Sequence, residues 1–427
     1  MNTVKIDYEL EYSAENIGEF IPSLSGTIGL TRKEQTNALQ IILLNLVFYS
    51  FCPLVTPRAK KMLAPRRSNP LGIGAGSLVT VLDALESTGH VVQTKGVKDL
   101  ASNTGTATTI VATDKLKFLL NYHGIFKYLI NRSSSAECLL LRNSETIHQN
   151  KNLKDYIDSH RTNMMRAELV KYSSLLSDTD IYVLGDNGHP ETDLNSQFVT
   201  RKFIDFEIHD TGGTELFAFG GRMYAAWCNL SKEQRSRITI NGEECIELDY
   251  PASHVNVMYK SVTGEWYQDG DPYELEVEGT EIPRHLVKKL SSIMLNVSSV
   301  TAARRSLQSA YIKRGQGIED LEGNSDGEDY IRALDGVGIR SIIQAYLDKH
   351  QVVAHLFLQD KKTGAHNQYL ESELIMDVVN KLTAMEIPCL TIFDSVIVPR
   401  QHESILKELM DTAEFPNRLP INTLRPL

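Results

Sequence analysis

Cysteine is scarce and scattered: Cys52, Cys138, Cys228, Cys245 and Cys389 form no CxxC pair and have no histidine cluster beside them. That excludes a disulfide framework and a zinc site, and it fits a reducing cytoplasm. Long apolar runs are also missing. The most apolar stretch, Ile41 to Phe51, contains Asn45 and is closed by Pro53, too short to span a bilayer. It reads as a buried helix, with Thr31 and Glu34 as a capping-box signal at its start. Met1 to Tyr12 alternates charged and apolar residues instead of opening a signal peptide. A soluble cytoplasmic chain without a membrane partner is the expectation. An excess of positive charge is lacking too, with 44 Lys and Arg against 54 Asp and Glu and a net charge of −10. Such a balance does not announce a nucleic-acid binder, nor exclude one, because a groove needs only local positive charge. Internal repeats and low-complexity segments are absent.

What is present is ordinary globular material: 427 residues, 42% apolar and 23% charged, enough for two or three domains. Basic residues gather at Arg58-Lys60-Lys61 with Arg66-Arg67, at Arg284-Lys288-Lys289, and at Arg304-Arg305 with Lys313-Arg314. Taken singly, each cluster reads equally well as a solvated face. Residues 1 to about 110 are rich in helix signals and end in a Ser/Thr/Asn/Gly stretch, Ala101 to Thr109, that reads as a loop or linker. Leu78, Val81, Leu82 and Leu85 share one helix face, Gly89 stops that helix, and His90 to Thr94 reads as a short strand. Helix, glycine and strand in that order give a winged-helix pattern, although ordinary helix-turn-strand packing looks the same. A second helical block is expected from Asn152 to Leu176. Short strands follow over Phe203 to Phe219, with Asp210-Thr211-Gly212-Gly213 as a turn. Asp7 and Glu9 have the spacing of an exonuclease pair, but no partner carboxylates accompany them, so a surface strand is the expectation.

Four segments of the C-terminal half carry chemistry. Cys245 to Pro251 is an alternating strand ending in Asp249, followed by a helix from Ala252 to Lys260. Alone, a strand-terminal Asp is also a common helix cap. Cys389 to Val398 is two short β runs with Asp394-Ser395 at the turn, preceded by an amphipathic helix over Glu371 to Met385. A hairpin offering one Asp at its tip and lying against the first strand brings Asp249 and Asp394 together, and two such carboxylates repel unless cations sit between them. Pro283 suits a first helical position. Arg284 and Lys288 then fall on one face, opposite Leu286, Leu290 and Ile293, as a clamp for a triphosphate. Finally, Gly220-Gly221-Arg222 with Asn229-Leu230 and Arg235 reads either as a tight turn with a surface Arg or as a close backbone approach with a guanidinium for a primer phosphate or base edge.

In this order the segments resemble the family A (DNA polymerase I-like) polymerases. The resemblance covers about residues 219 to 399 and rests on five short motifs. They are Gly221-Arg222 with Asn229-Leu230, Leu248-Asp249-Tyr250, Arg284 with Lys288, Gln368, and Phe393-Asp394-Ser395. It implies an α+β fold: a palm with a small antiparallel sheet, helical fingers, and a helix-rich N-terminal half. The domains it implies are a DNA-binding region over 1–110, a thumb-like helical region over 111–218, and a polymerase core over 219–427. The resemblance further implies that Asp249 and Asp394, with the Tyr250 carbonyl, hold two Mg²⁺ ions, or Mn²⁺. Arg284 and Lys288, with Tyr250 and His254 beside them, bind the nucleoside triphosphate. Arg222, Asn229 and Gln368 contact the DNA primer-template.

Several positions depart from the family pattern. His254 stands where a Glu usually helps to exclude ribose. Ser292 and Asn296 replace two aromatics of the fingers helix, Phe393 replaces a His, and Ser395 matches the single-subunit RNA polymerase variant. Motifs A and B are close together, which implies trimmed fingers. A DNA-dependent DNA polymerase, such as a mobile element's replication protein, is the leading expectation. An RNA-synthesising primase and a non-enzymatic DNA-binding initiator with a decayed palm are the alternatives. A metal-dependent nuclease would need a further acid near the pair, and Glu247 and Asp271 are the candidates.

Overall fold

The structure, a computed structural model, describes residues 4–13, 15–50, 52–56, 58, 66–99, 104–133, 136–144, 153–194, 199–206, 216–312 and 325–415. Helices and small, mostly antiparallel sheets make the chain α+β. It divides into two units, residues 1–158 and 159–427. The boundary expected near residue 110 falls within a strand of the first unit, and the stretch 111–218 is shared between both.

The first unit runs β1 (Val4–Lys5), β2 (Leu10–Tyr12), α1 (Asn16–Thr27), α2 (Lys33–Phe48), β3 (Leu54–Val55), α3 (Ala75–Ser87), β4 (Val91–Thr94), β5 (Lys98–Asp99), β6 (Thr104–Gly105), β7 (Thr109–Ala112), α4 (Asp114–Tyr122), β8 (Ile130–Arg132), β9 (Leu139–Asn143) and β10 (Leu153–Lys154). From Ile41 to Phe48 the apolar run lies in α2 and is buried in the core except for the half-buried Val47, while Phe51 lies outside the described residues. Asn45, which interrupts it, is satisfied on every side. Its amide nitrogen donates to the Asp7 and Ile41 carbonyls at 2.8 Å, and its oxygen accepts from the Asp7 N–H at 2.8 Å. The helix entry differs from the expected Thr31/Glu34 box. Gln35 accepts from the Thr31 and Arg32 N–H groups, while Glu34 reaches away to the Gly74 N–H at 2.8 Å. Asp7 and Glu9 are structural, both paired with Arg132.

Helix α3 buries Leu78, Val81, Leu82 and Leu85 as their spacing requires, and Gly89 ends it at φ +71°. β4 pairs antiparallel with β7, β3 pairs with the other edge of β7, and β5 pairs with β6 further out along the hairpin. In the polar stretch Ala101–Thr109, Thr104–Gly105 form β6, Thr109 opens β7 and the irregular 106–108 join them, so the stretch is a loop within the unit and no linker, with Ala101 to Asn103 outside the described residues. Two basic residues of the first cluster are neutralised within the unit. Arg58 pairs with Asp83, and Arg67 pairs with Glu137 and Asp158. Lys60, Lys61, Lys313, Arg314 and the Asp210–Gly213 turn lie outside the described residues.

The second unit runs α5 (His160–Ser177), β11 (Ile181–Leu184), β12 (Pro190–Asp193), β13 (Thr200–Asp205), β14 (Gly220–Tyr224), α6 (Lys232–Arg235), β15 (Ile238–Ile240), β16 (Glu243–Asp249), α7 (Ser253–Thr263), β17 (Leu275–Val277), β18 (Thr280–Ile282), α8 (Arg284–Met294), α9 (Val300–Tyr311), α10 (Ser325–Gly336), α11 (Ile339–Lys349), α12 (Lys361–Ala384), β19 (Leu390–Ile392), β20 (Ser395–Pro399) and α13 (Glu403–Asp411). The block expected from Asn152 starts only at His160, because Ser159 caps α5 by accepting from the Thr162 N–H while Thr162 returns the bond to the Ser159 N–H. An antiparallel sheet in the order β12-β11-β15-β16-β20-β19 forms the centre of the unit. A separate core gathers α7 to α11, with Leu286, Leu290, Leu307, Ile342 and Tyr346 buried in it. Among the described residues no helix is long and apolar enough to cross a membrane.

Candidate active site

β16 ends in Asp249, and its register with β20 sets Asp249 opposite Ser395. The β19–β20 hairpin closes with Ile392 opposite Ser395, leaving Phe393 and Asp394 as a two-residue turn. The hairpin tip thus meets the end of the first strand, and the Tyr250 N–H donates to the Asp394 carbonyl at 3.2 Å. Asp249 is exposed and Asp394 half-buried. Burial pushes the Asp394 carboxyl above the ordinary carboxylate range, and the charges of Glu371 and Asp249 push it further, while the Arg222 guanidinium pulls it back.

Arg222 projects from β14, whose two glycines are both at positive φ. They serve packing more than ligand approach. A Cβ on Gly221 would sit 2.7 Å from Ser372 Oγ on α12 and 2.9 Å from the Phe203 ring. Helix α12 closes on this strand and delivers Glu371, a fully buried carboxylate that sequence reading missed. Glu371 accepts from Arg222 Nε at 2.7 Å and Nη2 at 3.0 Å, and from Ser253 Oγ at 2.7 Å. His254 Nε2 lies 3.8 Å from the same carboxylate and 3.4 Å from Arg222 Nη2. The Arg222 guanidinium stands 5.0 Å from the centre of the Phe393 ring. Two residues further along α12, Glu373 receives the buried guanidinium of Arg201 at 2.6 Å. No local pattern marks Glu371 or Glu373, because their partners come from strands far away in the chain.

Burial holds the His254 imidazole below its ordinary value, against the pull of Glu371, and the nearby charges of Arg222 and Lys288 depress it further. Val255 and Met258 of α7 share a buried core with Leu286 and Leu290 of α8. Pro283 caps α8 from outside instead of opening it; Arg284 is the first helical residue. Arg284 and Lys288 are exposed, with Leu286 and Leu290 buried behind them as expected. Arg284 is ion-paired with Asp271, which it holds below the usual carboxylate range, and its guanidinium is 5.3 Å from the Tyr273 ring centre. Tyr273 in turn feels the charge of Asp394.

The other expected residues sit as follows. The Tyr250 hydroxyl is buried and donates to the Met410 carbonyl at 3.0 Å, so its phenol is structural. Asn229 is exposed at the end of a short 3-10 turn. Gln368 is half-exposed on α12 and makes no side-chain hydrogen bond among the described residues. The two acids that a nuclease would recruit are both engaged: Glu247 with Arg235 at 2.9 and 3.0 Å, and Asp271 with Arg284.

Among the described residues no three His, Cys, Asp or Glu side chains converge as a metal-binding group. Asp249 at the end of β16 and Asp394 at the tip of the facing hairpin, with a backbone carbonyl, would offer oxygen atoms only. That donor set fits Mg²⁺, which keeps several waters and is held by one or two carboxylates plus substrate phosphates. Compared with known protein families, curated proteins and solved structures, the chain matches none.

Proposed function

We propose that the chain is a template-directed nucleotidyltransferase, a DNA polymerase resembling family A that adds nucleotides to a primer 3′-hydroxyl. The observation that carries this reading is the meeting of the Asp249 end of β16 with the Asp394 tip of the β19–β20 hairpin, in a unit whose helix α8 exposes Arg284 and Lys288. In this reading the sheet from β12 to β19 is the palm, α8 to α11 are the fingers, and the α3–β4–β7 arrangement is a winged helix.

Asp249 and Asp394, with the Tyr250 carbonyl, would hold two Mg²⁺ ions, whose chemistry there is to neutralise triphosphate charge and lower the pKa of the primer hydroxyl. Lys288 would bind phosphate oxygens as a point charge, and Arg284 would exchange Asp271 for phosphate as the nucleotide arrives. Arg222, fixed by Glu371 and resting on Phe393, would orient the primer end beside Asp394. His254 would face the incoming sugar as a neutral imidazole.

Primer extension on a labelled primer-template with Mg²⁺ tests the proposal, with arms for dNTPs, NTPs and no nucleotide. The parent should extend, and Asp249→Ala or Asp394→Ala should lose at least about 100-fold in rate. A preference for NTPs would identify an RNA-synthesising primase. Shortening of the primer without nucleotides would instead identify a nuclease. Intact DNA binding without extension under any condition would leave a non-enzymatic initiator.

A further inference from the structure

Large aromatic side chains cost the most to leave in water, yet α4 and the segment after it expose four. Phe118 is 69% exposed, Tyr122 76%, Phe126 36% and Tyr128 76%. Single exposed apolar residues are common and need no account, but these occur as two stacked pairs. Phe118 and Tyr122, one helical turn apart, have ring centres 6.4 Å apart and planes 20° from parallel. Phe126 and Tyr128 are 5.6 Å apart at 10°. The scaffold beneath them is firm. Leu116, Leu120, Ile125 and Ile130 are buried in the core of the first unit, Thr113 caps α4, and the Ile125 N–H closes the turn onto the Leu120 carbonyl at 2.9 Å.

Charge on this surface runs against that of the chain. Between Asp114 and Tyr128 stand Lys115, Lys117 and Lys127 with Asp114 as the sole acid, in a protein of net charge −10. Lys115 and Lys117 are exposed. The exposed Lys117–Asp114 pair at 3.2 Å binds too weakly to withdraw that lysine from a polyanion.

We propose that Phe118, Tyr122, Phe126 and Tyr128, with Lys115, Lys117 and Lys127, form a platform on which successive bases of a single-stranded nucleic acid stack. Aromatic rings accept any base face, and lysines between them neutralise the backbone. The same lysines disfavour a protein partner, because docking patches keep aromatics but lose lysine from their centres. The platform suits the proposed function, since a template must be held single-stranded. It lies within the first unit, however, and uses no catalytic carboxylate.

The test is fluorescence anisotropy with the full chain, a chelator and no nucleotides. The probes are labelled oligothymidylate, oligouridylate and an abasic strand of equal length. Tyr122→Ala and Tyr128→Ala should each weaken oligothymidylate binding by about 5- to 150-fold. Tyr122→Phe should bind like the parent, and all proteins should bind the abasic strand weakly. Tighter binding of the deoxy or the ribo strand supports the platform either way and identifies its strand. Loss of oligothymidylate binding in Tyr122→Ala and loss of extension in Asp394→Ala are read in separate assays, so the platform and the polymerase reading fail separately. Three results would overturn the platform: no binding by the parent, alanine variants that bind as well as the parent, or an abasic strand bound as tightly as oligothymidylate. Loss of self-association in sedimentation, with oligonucleotide binding unchanged, would overturn it in favour of a contact between copies.

Discussion

Glu371→Ala is the most informative single perturbation of the second unit. The wild-type carboxylate is wholly buried and gathers Arg222, Ser253 and, at longer range, His254. Its removal strands the Arg222 guanidinium, whose side chain is only 19% exposed. Breaking such a pair by deleting one partner costs about 3–5 kcal/mol, because the remaining charge stays desolvated. In domains of about 150–250 residues each kcal/mol moves the melting temperature by about 2–4 °C, so the expected fall is about 6–20 °C by calorimetry. Glu371→Gln keeps the shape and an acceptor oxygen, and should fall less. Replacing both partners, Arg222→Met with Glu371→Leu, removes the stranded charge and should recover part of the loss, giving a clear coupling energy in the double-mutant cycle. A Glu371→Ala protein that melts within about 2 °C of the parent, or strictly additive single variants, would refute the role assigned to this carboxylate.

Two further outcomes follow from the same geometry. The Asp394 carboxyl is raised on folding, so the native state binds its proton more readily than the unfolded chain. Its contribution is therefore fully present below the ordinary value of 3.8 and is lost as pH rises through the raised value. Asp394→Asn should consequently melt higher than the parent at neutral pH, with the gain vanishing below pH 3.8, while abolishing extension; a lower melting temperature at neutral pH would contradict this sign. Gly221→Ala forces a Cβ against Ser372 and Phe203 at φ +80°, where strain and overpacking each cost about 1–3 kcal/mol. A urea midpoint unchanged from the parent would show that α12 does not close on this strand.

Much of the site was legible because its parts are local. A strand ending in Asp249, a two-strand run turning at Asp394 and a helix with Arg284 and Lys288 opposite its leucines each follow from spacing within a dozen residues. What brings them together was inferred only as a hairpin against a strand, and the β16–β20 register places Asp249 opposite Ser395. Glu371 and Glu373 escaped notice because nothing on α12 distinguishes a buried acid from a solvated one; only the distant Arg222 and Arg201 do. The glycines of β14 suggest room for a ligand, whereas the chain itself fills that room, with Ser372 and Phe203 at Gly221 and Lys202 and Ile204 at Gly220. The stretch Ala101–Thr109 looked like a linker because threonine and glycine serve turns and hairpin arms equally well. The start of α2 was misplaced by one residue because Glu and Gln at neighbouring positions compete for the same capping role, and Gln35 takes it.

The pairing of β16 with β20 also bears on how the protein is made. About 150 residues of chain separate Asp249 from its partner Ser395, which at about 5–20 residues/s is roughly 7–30 s of synthesis. Throughout that interval β15 already has β16 available as a neighbour, while the far side of β16 presents unpaired N–H and C=O groups as an open edge. Such edges recruit other strands, so the nascent chain passes through a window in which pairing between neighbouring copies competes with the arrival of β20. Slower synthesis through α8 to α12 should lengthen that window and favour insoluble product, and a chaperone that covers strand edges should restore the yield.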